Sequence, residues 1–557
     1  MIVDLLITNA RVLTQDAEHP IAERFAVHLG RVVAVDSETE GLRAQHTLDA
    51  KGATIVPGFN DAHAHSVWFG HTLLETDLSA LRSLEDLEQR IAMAAAELDP
   101  DAWVIASGFN HMDTDGQYPT PQQLDRAAGG RPVWIKHTSG HSCLINGVAL
   151  DLLRVRDLLA PDGSGLLPTG GNIVTVDGEP TGLLEEQAMT IVQDHLLPAP
   201  LETIVLALEH ATRHYASEGL TSVTDAGIGG GWIGHSPQEF LAYQRASESG
   251  LLRTRMQAML VGDVLGSTEH NSAGVPRAAG LPGGIRSGLG DERLQLGPVK
   301  IFLDGSILGT TARLSEEYSH CAGRHGMFQG DATELRQSAL DLARAGWALA
   351  MHAVGDAAID LALDILGTLD AEGVLPPLPH RLEHGGVVRP EQLSALAKLN
   401  VSIVAQPHFM TLYGDGFHSY IGAERSNWSF RMKSLLDAGL PVAGSSDRPV
   451  APGAPLAVIQ SAVERRTRSG AVYGPDERLT AAEALAAYTV GSAAITGWAG
   501  RKGQIRAGML ADFVLLGDDP LSVPSSDISS IPVLVTVLGG LATFDPDGRF
   551  PAALTMP

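Results

Sequence analysis

Two histidines two residues apart, His63 and His65, lie in the segment Pro57-Gly58-Phe59-Asn60-Asp61-Ala62-His63-Ala64-His65. In extended backbone, residues i and i+2 point to one side, so both imidazoles can reach one point in space, as a divalent cation requires. Alone, such a pair is more often two surface or hydrogen-bonded histidines. Four further polar residues stand in or just after apolar runs. Lys300 lies in Val299-Lys300-Ile301-Phe302-Leu303, His352 ends Ala348-Leu349-Ala350-Met351-His352, His384 follows Arg381-Leu382-Glu383, and Asp447 follows Val442-Ala443-Gly444-Ser445-Ser446. A charged lysine in an apolar run is expensive to bury and needs a partner or a modification. Each of the other three, taken singly, is explained by a satisfied structural polar group. Imidazole and carboxylate donors suit Zn²⁺ and also Mn²⁺ or Fe²⁺, and the lack of cysteine among them argues against a purely structural zinc site.

The elements that must position these groups follow from an alternation of buried-strand and helix-like segments, which predicts a parallel sheet with crossover helices. Strands are expected at 54–57, 221–225, 254–260, 299–303, 348–352, 381–383, 401–405 and 442–444. Eight such strands would close a (β/α)₈ barrel, whose catalytic groups sit at the C-terminal ends of the strands. The polar residues above fall at the ends of the first, fourth, fifth, sixth and eighth. A long insertion, about 66–203, with its own strand candidates at 103–106 and 133–136, is expected to lid the barrel mouth. Short β-rich runs in the first fifty residues recur at 511–516 and 533–538, after a helical stretch around 481–488. They predict a composite β-sandwich from both ends of the chain (1–56 and 495–557) beside a barrel over 57–494. The Gly-rich stretch 273–290 reads as a mobile loop.

Composition bounds the rest. The 557 residues are 44% hydrophobic and 19% charged, with a net charge of −26, which supplies a large core and argues against a nucleic-acid or membrane partner held by a basic field. Two cysteines, Cys143 and Cys321, exclude a disulfide framework. The N-terminal segment reads as a strand and not as a signal peptide, and a cytoplasmic protein is expected. The apolar stretch 531–544 falls short of the roughly 20 residues that span a bilayer.

The chain resembles the amidohydrolase superfamily, and within it the YtcJ-like branch that includes N-substituted formamide deformylases. The likeness runs along essentially the whole chain. It rests on the His63/His65 segment, Gly297-Pro298-Val299-Lys300-Ile301-Phe302-Leu303-Asp304-Gly305-Ser306, His352-Ala353-Val354-Gly355-Asp356, Glu383-His384, Gln406-Pro407, Gly444-Ser445-Ser446-Asp447 and Gly508-Met509-Leu510-Ala511-Asp512. Asn60 departs slightly from the family's pattern, where an aliphatic residue is commoner. The resemblance implies a metal-dependent hydrolase with a distorted barrel beside a composite β-sandwich. It implies one metal on His63, His65 and Asp447, a second on His352 and His384, and a Lys300 carboxylated by carbon dioxide to bridge them. Two ions about 3.5–4 Å apart can lower the pKa of a shared water to about 7 and polarise a carbonyl, and Asp447 is expected to act as general base and then acid. The substrate would be a small molecule with an amide or N-substituted formamide bond.

A second tier is less determined. Glu185 and Glu186 could supply an acid or an alternative ligand, or be solvated at the start of a helix. The likeness puts His137, Ser139 and His141 near the substrate. Gln406 and His408, past the seventh strand, are expected to face the cavity. Arg431 either recognises an acidic substrate or pairs with an acid, and Trp68 and Phe69 either wall a pocket or pack in the core. Two other functions stay open: a mononuclear deaminase of an aminated heterocycle, and a catalytically inactive barrel used for binding. A homodimer is the base-rate expectation.

Overall fold

The computed structural model describes residues 1–159, 171–230, 233–265, 267–270, 276–281, 283–399 and 401–556. At its centre run eight parallel strands: β1 (Phe59–Ala64), β2 (Leu220–Ile228), β3 (Arg255–Leu260), β4 (Val299–Phe302), β5 (Leu349–Ala353), β6 (His380–His384), β7 (Val401–Ala405) and β8 (Val442–Gly444). They form two sheets instead of one continuous ladder. One holds β1, β2 and β3 with the short strand Leu294–Leu296 outside β3, and the other holds β4 to β8 in sequence order. The sheets meet at two seams. A parallel bridge joins Val261 to Lys300, and on the other side Asp447 N–H donates to His63 O at 2.8 Å and His65 N–H to Arg448 O at 2.7 Å. Every residue of β2, β3, β5, β6 and β7 is buried, as parallel strands covered on both faces require. The covering helices follow from their apolar spacing: Leu201–Ser217 buries Ile204, Ala207, Leu208, Ala211 and Tyr215 along one stripe.

The expected first barrel strand, 54–57, is a strand with a different role. Thr54–Pro57 pairs antiparallel with Phe513–Leu516 and parallel with Arg11–Leu13; β1 begins two residues after it, past Gly58. Buried polar Asn60, Asp61 and His63 break β1's apolar pattern, whereas 54–57 shows it plainly. Gly58 lets the chain pass between the two sheets, since a Cβ there would lie 2.1 Å from Thr221 Oγ1.

Both ends of the chain meet in one six-stranded sheet, ordered Leu541–Phe544, Val533–Leu538, Phe513–Leu516, Thr54–Pro57, Arg11–Leu13, Ile21–Ala22. A four-stranded sheet from the first fifty residues lies beside it, with Phe25 edge-on to Phe513 at 5.1 Å between centroids. The buried pair Arg255–Asp512, bidentate at 2.7 and 2.8 Å, ties this layer to β3.

The insertion builds a six-stranded sheet that includes Val104–Phe109 and Val133–His137, close to the two expected strands, together with Ser142–Ile145 and Glu179–Glu186. Glu185 and Glu186 thus end a strand and do not begin a helix. Of the loop expected at 273–290, residues 273–275 and 282 lie outside the described residues, and Pro276–Ala279 is a strand paired with Ser267–His270. Among the described residues no single helix is long and apolar enough to cross a membrane.

Candidate metal centre

The strand ends bring the expected ligands together. His63 lies in β1 and His65 just past it, Lys300 in β4, His352 in β5, His384 at the end of β6 and Asp447 three residues beyond β8. All six are buried. Ligand atoms of His63, His384 and Asp447 lie within 4.8 Å of one another. His65 Nε2 and His63 Nε2 stand 3.0 and 3.3 Å from Asp447 Oδ1. His63 Nε2 and Asp447 Oδ1 nonetheless have no hydrogen-bond partner. Buried polar atoms are rarely left in that state, and their convergence is what a divalent cation takes up. The rings of His352 and His384 are 4.4 Å apart, edge to face.

Neighbouring groups fix which nitrogen three of the imidazoles offer. Glu383 accepts a short hydrogen bond from His63 Nδ1–H, leaving Nε2 as the lone pair. Gln406 Oε1 accepts from His384 Nδ1–H at 2.8 Å, and Gly305 O accepts from His352 Nε2–H at 3.1 Å. Such outer partners set tautomer and ring orientation in metal sites. Glu383 is held in turn by Arg381, whose Nε and Nη2 donate to its two oxygens at 2.6 and 2.9 Å and whose Nη2 also donates to Ala62 O at 2.6 Å. Burial raises the Glu383 pKa, but the Arg381 and His63 fields outweigh it and hold the carboxyl far below its usual range. Neither Arg381 nor Glu383 received a role from sequence, although two charged residues inside a buried strand were a visible signal.

Burial also keeps three imidazoles, those of His65, His352 and His384, neutral, the form that binds metal. It lowers His65 to about 4 and His384 to about 3, and His352 well below its ordinary value. At Asp447 burial raises the pKa, and the fields of His63 and His384 with the close approach of the His63 and His65 rings overcome it, so the carboxylate stays ionised. Burial pushes the Lys300 amine down to about 8 against the pull of Glu383 and Asp447. Its Nζ lies 4.8 Å from the centroid of the Phe302 ring. Asp447 and His384 both adopt left-handed backbone, φ 58° and 73°, a conformation that costs about 1–3 kcal/mol in residues other than glycine and concentrates at functional sites.

The remaining expected residues divide. His141 lines the cavity above the centre together with Ser139, His352, His384 and Asp447, its ring 5.5 Å from that of His352. Glu186, 2.9 Å from His141 Nδ1, holds it; burial lowers the His141 pKa, and Glu186 raises it above its ordinary value. Gln406 is fully buried and bound to His384, Ser445 and Val404, so it fixes the His384 ring and does not border the cavity. His408 bonds Ser461 Oγ at 2.7 Å and Arg431 faces Glu477 at 4.0 Å; neither borders the cavity. The apolar walls include Phe409, Tyr413, Phe417 and Phe430, and the sequence reading passed over the first three because aromatics in a helix usually mean core. Trp68 packs 5.8 Å from the His65 ring, and Phe69 stacks on Tyr215 at 5.5 Å.

Buried imidazoles around an ionised carboxylate, mounted at the C-terminal ends of parallel strands, make a site fit to hold a divalent cation. The chain belongs to the amidohydrolase family, whose model matches residues 46–544. It is similar to an N-substituted formamide deformylase from Arthrobacter pascens, 29% identical over 98% of this chain and 99% of that one. The protein named YtcJ from Bacillus subtilis is likewise 29% identical, over 91% of this chain and 92% of its own length. An uncharacterized metal-dependent hydrolase from Pyrococcus horikoshii shares the fold with a TM-score of 0.70, at 24% identity over 94% of this chain and 99% of that one. The distorted barrel with an added domain is the fold these relatives imply.

Proposed function

We propose that this protein hydrolyses a non-peptide C–N bond, an amide or an N-substituted formamide, at a centre of two divalent ions, Zn²⁺ first and Mn²⁺ or Fe²⁺ as alternatives. The observation that carries the reading is the convergence of His63 Nε2, His65 Nε2 and Asp447 Oδ1, two of these atoms buried without a hydrogen-bond partner. His63, His65 and Asp447 would hold one ion and His352 and His384 the other, with a carboxylated Lys300 between them. The Lys300 reading is supported by its buried amine, lowered to about 8, because the free base is the form that adds to carbon dioxide. Ions held there supply Lewis acidity, activating water and polarising the carbonyl.

The chain's own residues do the rest. Asp447 Oδ1 faces His63 Nε2 and His65 Nε2, where it would share an ion with them, which leaves Oδ2 to take a proton from the attacking water and return it to the departing nitrogen. Glu383 keeps His63 in one tautomer, and Gln406 does the same for His384. His141, held by Glu186, borders the place where the carbonyl oxygen gathers charge. Phe409, Tyr413, Phe417 and Phe430 enclose the apolar part of the substrate and exclude water.

Metal-loaded protein assayed against N-substituted formamides, simple amides and aminated heterocycles tests this reading. Release of formate or of a carboxylate with the amine is expected. Ammonia from heterocycles alone would instead favour the mononuclear deaminase, for which the compactness of the His63, His384 and Asp447 trio speaks.

A further inference from the structure

A second cavity adjoins the metal centre and shares Ser139, His141 and Leu308 with it. Its other side carries His111, Tyr118 and His137. These rings are wired in one direction. The backbone N–H of Ser139 donates to His137 Nδ1 at 3.1 Å, and a backbone N–H can only donate, so that nitrogen is an acceptor. Ser139 Oγ stands 2.9 Å from the same atom. Burial lowers the His137 pKa to about 3, with His111 and His141 adding to it, and burial lowers that of His111 too. A ring that accepts at one nitrogen is neutral and carries its one proton on the other. The His137 proton is on Nε2, where it is donated to His111 Nδ1 at 3.0 Å. His111 must then carry its own proton on Nε2. Tyr118 stacks on the His111 ring at 4.9 Å and 14°, fixing its plane.

We propose that His111 Nε2–H is a preset donor that recognises a carbonyl or carboxylate oxygen on the part of the substrate remote from the bond that is cleaved. The proposal rests on the hydrolase reading only in taking the metal centre as the substrate's anchor. A donor locked by backbone cannot turn into an acceptor, so a tail lacking an oxygen leaves it unpaired. Arg324 lies in the same wall, with its Nε donating to Thr310 O at 3.0 Å. Glu185 also lines this wall, its Oε2 accepting from Asn172 Nδ2 at 2.6 Å.

Two measurements test it. In a neutron crystal structure, hydrogen is expected on Nε2 of both His111 and His137; hydrogen on Nδ1 of either ring overturns the proposal. Calorimetry on metal-loaded protein would then compare hydroxamic acids, which anchor on a divalent metal, carrying tails of three to six carbons. The tails end in a carboxamide, a carboxylate or an isosteric isopropyl group. The oxygen-bearing tails are expected to bind roughly 2–12-fold tighter, the range of one hydrogen bond, with the better of the two naming the acceptor. His111→Phe, which keeps a ring against Tyr118, should bring the ratio to about one. No preference in the unaltered protein, or the same preference in the variant, overturns the assignment. Because neither readout needs turnover, failure to hydrolyse any amide while the tautomers and tail preference hold would sink the amide reading and leave this one standing.

Discussion

At the scale of single residues the chemistry rests on atoms whose protonation the surroundings decide. Asp447→Asn should lower kcat by about 10²–10⁴, the span of a lost general acid–base group, while circular dichroism stays unchanged; retained turnover would remove its assigned role. Lys300→Met should leave no more than one ion per chain by metal analysis and abolish turnover, because on the proposed two-ion reading nothing would then link the two ligand sets. Most of these residues were legible in sequence, because His63, His65, Lys300, His352, His384 and Asp447 interrupt or end apolar runs that a buried strand must otherwise keep apolar. The residues that orient them were harder to read. Gln406 looked like a cavity residue from its place after a strand, yet it is spent on His384, Ser445 and Val404. Glu186 looked like a helix start, yet it ends a strand and holds His141. Sequence shows where a polar side chain leaves an element, but its partner comes from another strand far along the chain.

At the scale of elements, β6 is tied to β1 through polar contacts inside an otherwise apolar layer. Arg381 and Glu383 in β6 and His63 and Ala62 in β1 make one fully buried network. Glu383→Gln removes the anion and leaves the guanidinium without its charge partner, which should destabilise the fold by about 3–5 kcal/mol. A lowered thermal midpoint with weakened metal retention is expected, and an unchanged midpoint would show that the network carries no stability. A similar polar tie follows β4, where Asp304 accepts from the backbone N–H groups of Arg313, Val354 and Gly355 at 2.9, 3.0 and 2.7 Å. Strand order and type were readable for most of this layer, since β2 to β8 show their apolar runs. The first strand was misplaced by five residues because its polar side chains are buried, and hydrophobic pattern cannot tell a buried aspartate from an exposed one.

At the scale of the whole molecule, two sheets, an insertion sheet and a composite sandwich are fastened by few buried charges. Arg255–Asp512 is one such fastening, and Asp512→Ala should cost about 3–5 kcal/mol by stranding the arginine, visible as a lower denaturant midpoint. Protonation sets a second dependence. Burial lowers His71, His137 and His235 to about 3 and His380 and His408 to about 4. Below its ordinary 6.5 each binds a proton when unfolded but not when folded, so stability is lost as pH falls from about 6.5 toward 4. Asp225, Glu239 and Asp304, raised by burial to about 7, act oppositely and add stability as pH falls through 7. The histidines outnumber them in this window, and Asp512, held low by Arg255 against its burial, loses its contribution only at more acid pH, below its ordinary 3.8. The unfolding midpoint of metal-free protein should therefore fall between pH 6.5 and 4.5; a flat or rising profile would contradict this balance. The meeting of both chain ends in one sheet was foreseeable from matching β-rich texture, whereas the division of the central strands into two sheets was not, because it depends on the seam geometry at Val261, Lys300 and Asp447.

The most direct measurement is the metal content per chain by plasma mass spectrometry, on protein prepared without chelator and supplied with bicarbonate and Zn²⁺ or Mn²⁺ during growth. Two equivalents, falling to one or none in Lys300→Met, are predicted. One equivalent that Lys300→Met leaves unchanged would contradict the two-ion centre, and none would contradict a metal centre altogether.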